Sequence, residues 1–123
     1  MGTVLIEAGA VEGATGWILA KSYLPPDPDK VVLLVETGGA PPGTRITADF
    51  PTFQVRVRGE PHGYEEARTK LGEIQGVLHK AQGVLGGAYF VFVLAATGPL
   101  DLGIDRQTNR PEIAQNYRAM RSR

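Results

Sequence analysis

The stretch YEEARTKLGEIQGVLHKA, residues 64 to 81, constrains the fold of this chain more than any other. Tyr64, Ala67, Leu71, Ile74, Val77, Leu78 and Ala81 recur at steps of three and four, which predicts a helix with one apolar stripe. Glu65 and Glu66 fall in its first turn and His79 and Lys80 in its last, both favourable to the helix dipole. Glu66 stands four residues before Lys70, and Gly83 ends the helix.

Strand patterns surround this helix. KVVLLVE, 30 to 36, is a continuous apolar run of strand length and reads as a central strand buried on both faces. AYFVFVLAA, 88 to 96, is a second strongly apolar strand. In PTFQVRVRG, 51 to 59, Phe53, Val55 and Val57 alternate with Gln54, Arg56 and Arg58, so a strand over 52–58 packs one face on a core and shows the other. LDLGI, 100 to 104, alternates again, and DRQTNRP turns it into EIAQNYRAM, 112 to 120, whose mixed polarity reads as one arm of a hairpin at the sheet margin.

The first segment, TVLIEAGAVEGATGWILAKSYL, places Val4, Ala8, Val11, Ala14 or Thr15, and Ile18 at helical spacing but carries Gly9, Gly13 and Gly16. Each glycine costs a helix ~1 kcal/mol relative to alanine, so tertiary contacts must hold this one. PPDPD, 25 to 29, breaks it and acts as a stiff connector, and GGAPPGT forms a long loop after the 30–36 strand. The expected fold is α+β: a single domain over 1–123, with one mixed β-sheet of about four to five strands and two helices packed on one face. Residues 1–24 form its N-terminal helical segment and 30–120 the sheet-and-helix core.

Composition removes most chemistries. The chain has no cysteine, which excludes disulfides, zinc-thiolate sites and cysteine nucleophiles, and only two histidines, His62 and His79. These sit at the start and the end of the predicted helix, where an N-cap neighbour and a C-terminal cation account for them. No apolar run approaches the ~20 residues of a membrane helix, and no signal peptide pattern is present, so a soluble protein with no membrane partner is expected. Glu65 with Glu66 fits a solvated helix face, Asp101 and Asp105 lack the spacing of a calcium loop, and Gly38, Gly39 and Gly43 form no phosphate-binding motif. No catalytic, cofactor or metal site is expected, and the chain reads as a non-enzyme.

Thirteen basic residues balance thirteen acidic ones, which argues against a dedicated phosphate-binding surface. The balance is uneven: residues 1–50 carry three cations and six anions, a formal −3, and the remainder is +3. A dipolar subunit suits head-to-tail association. The arginine side of the 52–58 strand has three readings: a solvated edge that discourages aggregation, a subunit interface in which arginines fork to a neighbour's carboxylates, or a nucleic-acid surface, for which stacking aromatics are missing. The candidate interface residues are Gln54, Arg56 and Arg58, with Gly72 and Gly76, four apart on the less apolar side of the helix, and Arg106 and Arg110 of the 105–111 turn.

Taken in order, VVLLVETGG, PTFQVRVRG, YEEARTKLGEIQGVL and GIDRQTNRPEIAQNYRAM resemble the minor capsid or tail terminator family of long-tailed bacteriophages, over roughly residues 30 to 120. The resemblance implies a tail-terminator-like fold and a structural virion protein: a homo-oligomeric ring, a hexamer, that caps the tail tube and joins it to the head connector. The implied partners are the tail tube protein on one side and a head-completion or connector protein on the other, with DNA passing through without sequence-specific binding. The implied place is the head-tail junction of a virion assembled in the host cytoplasm. The alternatives are another phage head-tail joining or tail completion protein and a small nucleic-acid-binding module.

Overall fold

The computed structural model describes residues 16–40, 48–79, 83–85 and 88–122. Among these, one helix packs on one mixed sheet of seven strands. In chain order they are β1 (Ile18–Lys21), β2 (Val31–Ala40), β3 (Ala48–Arg58), α1 (Tyr64–Leu78), β4 (Gly83–Leu85), β5 (Ala88–Ala95), β6 (Leu100–Ile104) and β7 (Pro111–Ser122). The order across the sheet is β1-β2-β3-β7-β5-β4, with β6 also paired to β7. β1 runs parallel to β2 and every other pair is antiparallel.

The apolar stripe of α1 covers one face of this sheet. Ala67, Leu71, Ile74 and Leu78 are fully buried against Val32 and Leu34 of β2, Phe53, Val55 and Val57 of β3, Val93 of β5, and Ile113, Tyr117 and Ala119 of β7. Fully burying one such side chain is worth about 1.5–3 kcal/mol, so the stripe holds the two layers together. Lys30 and Lys70 approach the buried Trp17 ring at 5.4 and 5.6 Å, close enough for cation–π attraction, and their ammonium groups pair with Glu66 (3.2 Å) and Glu73 (3.0 Å). The predicted Glu66–Lys70 pair is therefore replaced by pairings on either side.

Several expectations are corrected. Residues 1–15 lie outside the described residues, but Ile18–Lys21 is a strand, not helix, and one helix is found among the described residues where two were expected. Pairing Ile18 and Leu19 with the buried Val31 and Val32 outweighs a helical propensity already weakened by glycine, and Gly16 itself sits at φ +77°, outside helix geometry. The sheet has seven strands instead of four to five, because the short β1 and the three-residue β4 escape a pattern search. β7 is not marginal: it lies between β3 and the β5 and β6 pair, so β3 is internal too and is no edge. At the helix end the His79 ring is used differently from the contact with the last carbonyls that was expected. Its Nδ1 accepts the Ala95 N–H at 3.0 Å, tying α1 to β5.

Gly72 and Gly76 lie exposed on the outer side of α1, where an added Cβ would meet nothing within 4 Å. Gly72→Ala and Gly76→Ala are each expected to stabilise the fold by up to about 1 kcal/mol, whereas Ile74→Ala loses about 2–5 kcal/mol. Urea denaturation followed by the fluorescence of Trp17, the one tryptophan, checks both. An Ile74→Ala chain as stable as its parent would show that the stripe is not core.

Candidate functional site

The face of the sheet away from α1 carries the polar residues of the two middle strands. The β3–β7 register sets Thr52 beside Arg118, Gln54 beside Asn116, Arg56 beside Ala114 and Arg58 beside Glu112. Side chains alternate along a strand, so burying Phe53, Val55, Val57 and Tyr117 under the helix turns these residues to the other side. There they form a hydrogen-bonded ladder. Arg56 Nε donates to Gln54 Oε1 (2.6 Å), Gln54 Nε2 donates to Asn116 Oδ1 (2.9 Å), and Thr37 Oγ1 bonds Thr52 Oγ1 (2.8 Å). Gln54, Arg56 and Asn116 are half-buried and Arg118 is exposed; neither arginine forms an ion pair with a described residue.

Arg58, on the same strand face, is put to a different use. It is 6% exposed, and its guanidinium donates through Nε to Asp29 O (3.0 Å) and through Nη2 to Pro28 O. Burial, and then the nearby Arg110, lower its pKa, with Glu112, Asp29 and Asp27 acting in the opposite direction. Arg110 donates to Pro26 O (2.7 Å) and pairs with Asp29 Oδ1 at 3.5 Å. The two arginines thus clamp the proline connector onto the end of the sheet, and both are occupied within the subunit.

Arg106 stands exposed in the turn between β6 and β7. Asp105 organises that turn: its Oδ1 accepts the Gln107 N–H (2.8 Å) and Thr108 N–H (3.3 Å), and its carbonyl accepts the Asn109 N–H (2.7 Å). Those backbone hydrogen bonds hold its carboxyl below the usual aspartate range. Every residue of β6 is exposed, Leu100, Leu102 and Ile104 included.

The structure therefore divides the sequence-derived candidates. Gln54 and Arg56 share the open face, Gly72 and Gly76 lie on the opposite layer, Arg58 and Arg110 clamp the connector, and Arg106 is alone in its turn. Sequence reasoning missed Asn116 and Arg118 as members of the open face. The alternation of β7 is visible in the sequence, but its pairing with β3 is not. Among the described residues no group of three His, Asp or Glu could hold a metal, and no helix is long and apolar enough to cross a membrane.

The two strand arginines should separate on mutation. Arg58→Gln is expected to cost on the order of 1–3 kcal/mol, since it removes a buried charged donor from the Pro28 and Asp29 carbonyls, while Arg56→Gln stays within about 0.5 kcal/mol. Urea midpoints measure the difference, and equal midpoints would contradict it. For Asp105 the sign is that of a depressed carboxyl: its contribution is present above the unfolded aspartate pKa and lost as pH falls through the lower folded value. NMR titration of the Gln107 and Thr108 amides should give a midpoint below the usual aspartate pKa, and a midpoint at or above it would show that Asp105 does not organise the turn.

A family model described as bacteriophage tail terminator protein matches residues 8–121. Among solved structures the chain is similar to one in the virion of a native gene transfer agent particle. The TM-score is 0.67 at 16% identity, over 100% of this chain and 87% of that one, a likeness that shows the fold. A search of curated proteins finds no match. The family match takes in all of β1 to β6 and all but the last residue of β7, open face and outer helix face alike. The chain belongs to the bacteriophage tail terminator family and is a structural protein of the phage tail, a virion component and not an enzyme.

Proposed function

We propose that this protein ends tail-tube growth as a homo-oligomeric ring, a hexamer, seated at the head-tail junction and joining the tube to the head connector. The observation that carries the reading is the family match over residues 8–121. The shape of the subunit supports it: a two-layer plate with a sheet face bearing Gln54, Arg56, Asn116 and Arg118 on one side and an exposed helix face on the other offers two different surfaces, as head-to-tail association in a ring requires. One face of the ring meets the tail tube protein and the other a head-completion or connector protein. A formal net charge of zero suits a ring through which DNA passes without being held.

The test is electron microscopy and mass measurement of the purified protein, alone and mixed with tubes of the cognate tail tube protein. The expected result is a hexameric ring on one end of each tube and an arrest of tube lengthening. Tubes that keep growing in excess protein, with no ring on them, would sink the proposal. A DNA titration at rising salt checks the lumen: binding should be weak throughout.

A further inference from the structure

We propose that the open sheet face of one copy receives the acidic N-terminal end of α1 from the next copy, so that the contact repeated around the ring joins a sheet face to a helix through matched charge. This rests on the ring reading above and names the surfaces that meet.

On the open face Arg56 and Arg118 flank the Gln54–Asn116 pair. Neither has an ion-pair partner among the described residues, and from Thr52 to Arg56 and from Ala114 to Arg118 there is no carboxylate. Arg56 spends only its Nε, on Gln54, which fixes the side chain and leaves the terminal nitrogens to donate outward. On the helix layer Glu60, Glu65 and Glu66 are all exposed. Lys30 serves two of them, Glu66 at 3.2 Å and Glu60 at 3.9 Å, and among the described residues Glu65 has no ion pair; Arg68, one turn on, forms none with it. Three acids against Lys30 and Arg68 leave a local excess of one negative charge, and the open face carries an excess of positive charge in Arg56 and Arg118.

These surfaces lie on opposite layers of one subunit, so they cannot satisfy each other within it. A symmetric dimer through two open faces would bring arginines against arginines, a like-charge juxtaposition that opposes binding. The head-to-tail contact matches the charges instead, and a heterologous contact closes into a ring when its rotation permits. Gly72 and Gly76 leave the next two turns of α1 flat, which lets the neighbouring sheet follow the helix.

Because the chain has no cysteine, the contact can be trapped selectively. Arg118→Cys and Glu65→Cys placed in one chain, treated with a short bismaleimide, should give a ladder of covalent oligomers ending at the ring, while either cysteine alone gives none. Arg118→Glu and Glu65→Arg should each raise the concentration needed for assembly at least tenfold with the circular dichroism spectrum unchanged, and the two together should restore it. Rings that form with no crosslinking and no rescue would overturn this contact and leave the ring reading standing. No ring, alone or on tubes, would overturn both. Loss of salt-sensitive duplex DNA binding in Arg118→Glu with rings intact would assign the face to DNA and also overturn the proposal.

Discussion

The antiparallel pairing of β3 with β7 is the bond between the two halves of this molecule. β1, β2 and β3 lie to one side of it, and β7, β5, β4 and β6 to the other. Each face of the pairing has its own stitch. Under the helix, Phe53 stacks on Tyr117 with ring centroids 5.2 Å apart and planes 7° from parallel. On the open side, Gln54 reaches Asn116 across 62 residues of sequence. A slip of one residue would exchange the two faces, driving Gln54 and Arg56 under α1 and exposing Val55 and Val57. The core and the polar ladder are therefore fixed by one choice of register, and neither can change without the other.

Polar residues inside β7 make that central position possible. Gln115 points to the helix side and is 1% exposed, yet its amide is satisfied: Nε2 donates to Thr97 O (2.9 Å) and Oε1 accepts the Tyr117 hydroxyl (3.1 Å). Burial pushes the Tyr117 phenol up to about 12, so it remains a neutral donor. The same contacts manage the break between β5 and β6, which lie end to end along one edge of β7. Ala96 N–H donates to Asn116 O (2.8 Å) and Asn116 N–H to Thr97 Oγ1 (3.2 Å), so the chain leaves β5 and re-enters as the exposed β6 with its hydrogen bonds kept.

What the sequence shows and what it hides follow from the range of the forces involved. The periodicity of α1 and the apolar runs of β2 and β5 are local signals strong enough to survive any tertiary context, and they appear where expected. β7 hides its central place because its polar residues are satisfied by Thr97, Tyr117 and Gln54, contacts that no window of neighbouring residues displays. Ile18–Lys21 becomes strand for a similar reason: β2 supplies a ladder that a local helix pattern cannot anticipate. Arg56 and Arg58 are the sharpest case, two residues apart on one face of one strand and indistinguishable by alternation. The proline connector, folded back from 25–29, takes one of them and leaves the other.

A surface of this kind has a physical advantage for a protein that must wait for its partner. An apolar interface left open invites association with any similar patch, and its contiguous exposed area marks it as adhesive. The open face instead satisfies its own amides, and among the described residues no buried side-chain nitrogen or oxygen lacks a partner, so exposure to water costs it little. Its two unmatched guanidinium groups gain only when carboxylates arrive in the right places, which favours the correct partner over a merely sticky one. Of the apolar side chains exposed on β6, Leu100 lies across Ala114 from Arg56 on this same face, so an apolar contact borders the charged row.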